Sequence, residues 1–281
     1  KRKEKGIEKI FGAKVPPVKT GFKARDGWVF VEADYKSAEL FTLGYMSQDE
    51  AFNRVLDTEP DVHGYNAVEV FRLDIKPSEV ETQRPELRDA IKTTIFGIIY
   101  GLGEDGLGEQ LTPIFKRDVP GQEARGIIDG LLKKYPGIKN FIDESRRDVE
   151  TKGYTETAYK RRRYFPGFAT MSRAKQAAAK REGVNSRIQG TVGDCLNLAS
   201  INLDHMRYDT EIGQRIKWEY MVAIHDAMLL HCPKDELLTV ARILKYCMSD
   251  TVPFPTRPDR CLQVDVQYGE RWGEFTKMKH I

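Results

Sequence analysis

At 281 residues, 40% hydrophobic and 31% charged, the chain can bury a sizeable core and hold one large or two small domains. No apolar run approaches the roughly 18 residues needed to span a bilayer, and Lys1-Arg2-Lys3-Glu4-Lys5 is followed by no apolar stretch of the secretory kind. Membrane-spanning and secreted classes are therefore set aside, and a cytoplasmic or nucleoid setting is expected. The net charge of +3 says little by itself, because it is unevenly spread. Cys195, Cys232, Cys247 and Cys261 are widely spaced, with no Cys-x-x-Cys pair and no accompanying His pattern. This predicts reduced, mostly buried thiols rather than a zinc module or a disulfide framework. The chain opens on Lys, and the expectation is a fragment, a processed product or a subunit.

In chain order, residues 1–25 are basic and broken by Pro16, Pro17 and Gly21, which reads as a lead-in. Trp28 to Asp34 is a short, mostly apolar run typical of a buried strand. Ser37 to Gln48 then has helical periodicity, with Leu40, Phe41, Leu43, Gly44 and Met46 as packing positions. Asp34 thus stands at a strand-to-helix corner, either as a protruding functional carboxylate or as an ordinary helix cap. From about Asp57 to Glu156 the pattern is helical, interrupted by prolines and by the glycines between Gly101 and Gly108.

Within that region Arg88, Lys92, Phe96 and Tyr100 recur every four residues and Gly101 ends the run. On a helix this makes one stripe of two cations and two rings, winding by about 120° over roughly 18 Å. Such a stripe suits a ligand with a polyphosphate at one end and a flat ring at the other, although a solvated amphipathic helix has the same spacing. From Thr151 to Arg187 there are ten Lys or Arg against two acids, Glu156 and Glu182, and Tyr159, Tyr164 and Phe165 flank Arg161-Arg162-Arg163. Basic side chains beside aromatics point to a phosphodiester backbone. Asn185 and Gln189 open a helical run; Asn185 is either a cap or, with Gln189, a reader of minor-groove acceptors shared by all base pairs. Finally, Tyr220 to Leu230 places His225-Asp226 between two apolar runs, as in a hairpin presenting an acid at its tip. An acid among Ile, Met and Leu is costly unless it is paired or holds a cation.

The run Arg88-x3-Lys92-x3-Phe96-Gly97-x2-Tyr100-Gly101 resembles the nucleotide-binding helix of family A DNA polymerases. Asp34-Tyr35-Lys36-Ser37-Ala38-Glu39-Leu40 is similar to the family's first palm motif, usually Asp-Tyr-Ser-Gln-x-Glu-Leu, with Lys36 and Ser37 departing from it. Asn185-x3-Gln189-Gly190-Thr191-x2-Asp194 resembles its primer-template helix. Ile224-His225-Asp226-Ala227 resembles its His-Asp-Glu hairpin, with Ala227 in place of Glu, and Gly269-x2-Trp272 its closing motif. His63, 25 residues before Arg88, matches the family's Asp-x-His position.

The resemblance covers roughly residues 25 to 275 and implies an α+β fold: a right-hand palm with an antiparallel sheet, plus helical fingers. The expected division is 1–25 lead-in, 26–57 first palm segment, 58–157 fingers and 158–281 second palm segment, with thumb and exonuclease domains absent from this chain. It implies a template-directed DNA polymerase in which Asp34, Asp226 and the Tyr35 carbonyl hold two Mg²⁺ ions, with Mn²⁺ as a substitute. Arg88, Lys92 and His63 would neutralise the triphosphate, with Lys92 as proton donor to pyrophosphate. Phe96 and Tyr100 would pack on the sugar and nascent pair, and Glu39 would exclude a 2′-hydroxyl. Arg161, Arg162, Arg181, Asn185, Gln189 and His225 would meet primer-template DNA. Deoxynucleoside triphosphates and a separate chain carrying the thumb or exonuclease complete the expected partners, in a bacterial or viral-type setting, with an organellar one left open. Two alternatives stand beside this reading: a non-catalytic DNA-binding subunit of a split polymerase, and a single-subunit RNA polymerase-like enzyme.

Overall fold

A computed structural model describes residues 18–279 and 281. Residues 1–17 of the expected lead-in lie outside the described residues. The fold is α+β, and the chain divides into two compact units. One comprises the described residues of Lys1–Lys36, Cys195–Pro253 and Cys261–Ile281; the other comprises Ser37–Asp194 and Phe254–Arg260. The boundaries expected at 57/58 and 157/158 both fall within the second unit.

The first unit is built on strand β1 (Trp28–Tyr35). Val29, Val31, Ala33 and Tyr35 are buried on one face, while Trp28, Phe30, Glu32 and Asp34 leave the other, where Phe30 alone is buried. The second unit opens with α1 (Ala38–Ser47), α2 (Glu50–Thr58) and α3 (Val62–Phe71). The short α4 (Val80–Gln83), then α5 (Pro85–Ile99), α6 (Glu104–Phe115), α7 (Gly121–Lys134) and α8 (Pro136–Thr151) follow. The hairpin β2 (Tyr154–Glu156) and β3 (Arg162–Tyr164) leads to the 37-residue α9 (Arg173–Asp209). The first unit resumes with α10 (Glu211–Arg215), β4 (Glu219–Ile224), β5 (Ala227–Pro233) and α11 (Leu237–Lys245). A small ribbon of β6 (Pro253–Phe254) and β7 (Arg257–Cys261) precedes β8 (Val264–Arg271) and β9 (Glu274–Lys277).

The main sheet has the order β4-β5-β1-β8-β9, every neighbour antiparallel. Helix α11 covers the face carrying Val31, Ala33, Met228 and Leu230, all fully buried. On the opposite face an aromatic cluster of Phe30, Trp28, Trp272 and Phe275 closes one end, and Asp34 lies half-open at the other. The lead-in does not stop short of this unit: Ala24 is buried and its N–H donates to the Glu270 carbonyl at 2.8 Å. Burial raises the thiols of Cys232 and Cys247 to about 12, as expected for inert core cysteines, and Cys261 is only half-buried.

In the second unit Leu43, Phe52, Ile91, Ile99, Leu107, Leu111 and Tyr135 are fully buried in one core. Each such side chain contributes about 1.5–3 kcal/mol relative to exposure. Asp49 fastens two helices at once: its carboxylate accepts from Phe52 N–H at 2.9 Å, capping α2, and from Gly137 N–H at 2.7 Å in the first turn of α8. No described helix is long and apolar enough to cross a membrane.

Candidate active site

Asp34 is the seventh residue of β1 and is not a helix cap: the cap of α1 is Ser37, in the left-handed region with φ 49°. The β1–β5 register sets Asp34 opposite Ala227, so Asp226 adjoins it at the tip of the β4–β5 hairpin, and Tyr35 N–H donates to the Asp226 carbonyl at 3.2 Å. His225, at the same tip, is exposed and also has positive φ, 59°. Non-glycine residues in that region cost of order 1 kcal/mol or more and collect at functional turns. Asp226 is half-buried, not buried as the apolar flanks suggest, because β4 is an edge strand whose Tyr220 and Met221 are about half exposed. The donor set, two half-exposed carboxylates beside a backbone carbonyl, fits a hard divalent cation that keeps several waters. The Tyr35 ring lies on the opposite face, its hydroxyl donating to the Met248 carbonyl at 2.9 Å.

The nucleotide stripe lies on α5 in the second unit. Leu87, Ala90, Ile91, Thr94, Ile95 and Ile98 form its buried face, and Thr94 satisfies its hydroxyl on the Ala90 carbonyl. This leaves Arg88 and Phe96 half-buried and Lys92 and Tyr100 exposed, in the predicted row. Rich in β-branched residues, the segment is held helical by this burial rather than by propensity. Gly101 ends it at φ +69°, where a Cβ would stand 2.7–2.8 Å from the Arg181 side chain, so glycine is required there. A cavity of about 420 Å³ beside the stripe is lined by Lys92, Phe96, Gly97, Tyr100 and Gln110 among others.

Arg88 is not a free cation. Its Nε donates to Asp61 Oδ2 at 2.8 Å, with both side chains about one-fifth exposed. Burial alone would raise the Asp61 carboxyl, but the hydrogen bonds from Arg88 and Gly64 N–H outweigh it and hold the carboxyl below its usual range. The same bond holds Arg88 above its own. The sequence assigns Asp61 no role of its own; its signal is its place as the Asp of the Asp-x-His motif that ends at His63.

His63 stands 6.4 Å from the Phe96 ring, centroid to centroid. Burial, then the charge of Arg88, lowers its pKa from 6.5 to about 4, and Nδ1 has no hydrogen-bond partner among the described residues. The expected cationic His63 is therefore a neutral imidazole here. Because the unfolded chain binds this proton more readily, the stabilisation is complete above pH 6.5 and is lost as pH falls towards 4. Denaturant unfolding should show a loss of about 2 kcal/mol between pH 7.5 and 5 in the parent that is missing from His63→Gln. Equal losses in both proteins would refute the assignment.

Gln189 was expected at the minor groove. In the free chain its Nε2 donates to Glu39 Oε1 at 3.0 Å and to the Tyr100 hydroxyl at 3.2 Å, linking Glu39, the end of the stripe and Gln189 within the second unit. Asn185, four residues earlier, lies inside α9 and is not its cap.

The arginine triplet is also more committed than its sequence suggests. Arg161 donates to Asp194 at 2.5 Å and to the Gly190 carbonyl, Arg162 to Glu156 at 2.9 Å, and Arg163 to Glu182. Both acids of the basic segment and a third beyond it are thus consumed by the triplet. Phe165 is core, packed with Val149, Phe168 and Ala179, whereas Tyr164 is exposed. Arg181 is exposed and flanks Gly101.

The sequence pattern of DNA polymerase family A matches residues 8–274. The chain is 32% identical over 261 residues to DNA polymerase I of Chloroflexus aurantiacus, covering 93% of this chain and 26% of that protein. It is 31% identical over 255 residues to the thermostable DNA polymerase I of Thermus aquaticus, covering 91% and 28% respectively. Among solved structures it is similar to the POL domain of Pol1 from M. smegmatis, in complex with DNA primer-template and dNTP, with a TM-score of 0.78 and 26% identity. That likeness covers 91% of this chain and 42% of the other. The chain spans about a quarter of the length of the curated relatives it matches. With motifs, sheet topology and a match along nearly the whole sequence in agreement, the chain belongs to family A of the DNA polymerases.

Proposed function

We infer that this chain carries the nucleotide-addition centre of a template-directed DNA polymerase. The observation that carries the reading is the adjacency of Asp34 and Asp226, set by strand register on the half-open end of the sheet. Asp34, Asp226 and the Tyr35 carbonyl would hold two Mg²⁺ ions, or Mn²⁺, which when bound supply a more acidic 3′-hydroxyl and charge neutralisation on the phosphates. In the reaction the primer 3′-hydroxyl gives up its proton to water, its oxygen bonds to the α-phosphorus, the bond from that phosphorus to the bridging oxygen breaks, and pyrophosphate leaves. Lys92 gives the departing pyrophosphate a proton. Arg88 and Lys92 pair with the triphosphate, and neutral His63 donates a hydrogen bond to it rather than a charge. Phe96 and Tyr100 pack on the sugar and nascent pair. Arg161, Arg162, Arg181, Asn185, Gln189 and His225 meet the primer-template, with Arg161 and Arg162 exchanging their acidic partners for phosphates.

The reading is tested by Mg²⁺-dependent extension of a primed DNA template with deoxy- and ribonucleotides supplied separately. Deoxynucleotide extension is expected. Preferential ribonucleotide extension would replace it with the RNA polymerase reading, and tight DNA binding without extension at high protein concentration would favour a non-catalytic subunit. Grip on the duplex needs, on this reading, a thumb carried in cis or on a separate chain, and the setting is the cytoplasm or nucleoid. Glu39, fixed by Gln189, serves as the sugar gate. Glu39→Ala should raise ribonucleotide use relative to deoxynucleotide use by about tenfold to a hundredfold, and Gln189→Ala should do so by less. An unchanged ratio in Glu39→Ala would remove that role.

A further inference from the structure

Three side chains line up across the sheet at the level of Asp34. The register sets Asp34 opposite Ala227 on β5 and opposite Asp265 on β8. Residues directly opposed in antiparallel strands leave the same face with Cβ atoms roughly 4.5–5.5 Å apart, and like charges so placed repel. The repulsion is relieved from the far side: Lys277 on β9 lies opposite Gln267 and reaches diagonally to Asp265, Nζ to Oδ2 2.8 Å. With Lys277 60% and Asp265 44% exposed, the ion pair is solvent-screened and holds little energy of its own. It therefore does not account for keeping two carboxylates face to face. Among the described residues no three His, Cys, Asp or Glu side chains are gathered as a cation site.

Resting on the polymerase reading above, we propose that Asp265 is a positioning residue for the divalent cation at Asp34. Its negative charge raises cation affinity from the β8 side, while the β5 side offers only the methyl group of Ala227. Lys277 tempers that charge. The two members of the ion pair thus have opposite effects on cation affinity, which separates this role from a structural one, in which losing either partner would weaken the sheet alike.

The test is a Mn²⁺ titration of the full chain at low ionic strength, without DNA or nucleotide, with free Mn²⁺ read by electron paramagnetic resonance. Asp265→Asn should weaken binding by roughly three- to tenfold, and Lys277→Met should strengthen it by a similar factor. Asp265→Glu should hold parental affinity even if Asp265→Asn melts early. Unchanged affinity in Asp265→Asn, or weakened affinity in Lys277→Met, would overturn the proposal while leaving Asp34 as a ligand. If Asp34→Asn titrates like the parent, the cation is not at Asp34, and the carboxylate reading falls together with the proposal.

Discussion

Asp34→Asn and Asp226→Asn are each expected to lower single-turnover primer extension by about 10³-fold or more while leaving the fold and DNA affinity in place. The expectation rests on where the side chains lie. Asp34 is half-buried at the open end of the sheet and Asp226 is half-buried in the β4–β5 turn, so neither is a core side chain whose packing an amide would lose. The amide keeps the shape and removes the charge that a hard cation requires. Glu32 supplies the control. It leaves the same face two residues before Asp34, and its carboxylate accepts from Gln267 Nε2 at 2.8 Å and Trp272 Nε1 at 3.1 Å. Glu32→Gln should therefore cost about 1 kcal/mol of stability and leave extension near the parental rate. Retention of more than a tenth of parental activity by Asp34→Asn would sink the catalytic assignment.

The distant partners of Glu32 also mark how far a sequence of this kind can be read. Period-two alternation in Trp28–Tyr35, period-four spacing in Arg88–Tyr100 and the apolar–polar–apolar run around Asp226 are local, and each produced the expected strand, helix or hairpin. Partners distant in sequence are not written in any local period. Phe254 packs fully buried on Tyr45, ring centroids 5.1 Å apart, and Arg260 pairs with Asp57 at 2.8 Å, which brings Phe254–Arg260 into the helical unit. Nothing in Pro253–Cys261 signals this. The arginine triplet looked like a free cationic surface because its acids lie 6, 19 and 33 residues away. Edge and central strands draw on the same residues, so the exposure of β4 was equally hidden. Motif matching names single side chains; it does not say which of them are engaged with one another.

That engagement governs the second large effect, at Arg88. Arg88→Ala should lower kcat/KM for the incoming nucleotide by about 10²–10³-fold, because on the proposed reading it removes a guanidinium that would meet phosphate oxygens through several N–H groups. In the free protein the Nε of that guanidinium is taken by Asp61, so the pair is ordered before any anion arrives. Asp61→Asn should accordingly cost much less, about tenfold and mainly in KM, since Arg88 keeps its charge and loses only its tether. Removing either partner leaves the other poorly compensated in a site about one-fifth exposed, so each single variant should lose about 2 kcal/mol of stability. The double variant should lose less than the sum. A further readout is independent of turnover. Arg88 is the second-largest cause, after burial, of the low His63 pKa. In Arg88→Ala the His63 titration should move up from about 4 towards 6.5 without reaching it, because burial remains, and the acid-side loss of stability should shrink accordingly. An unmoved His63 titration would detach the imidazole from Arg88, and a kcat/KM within threefold of the parent would detach Arg88 from the nucleotide.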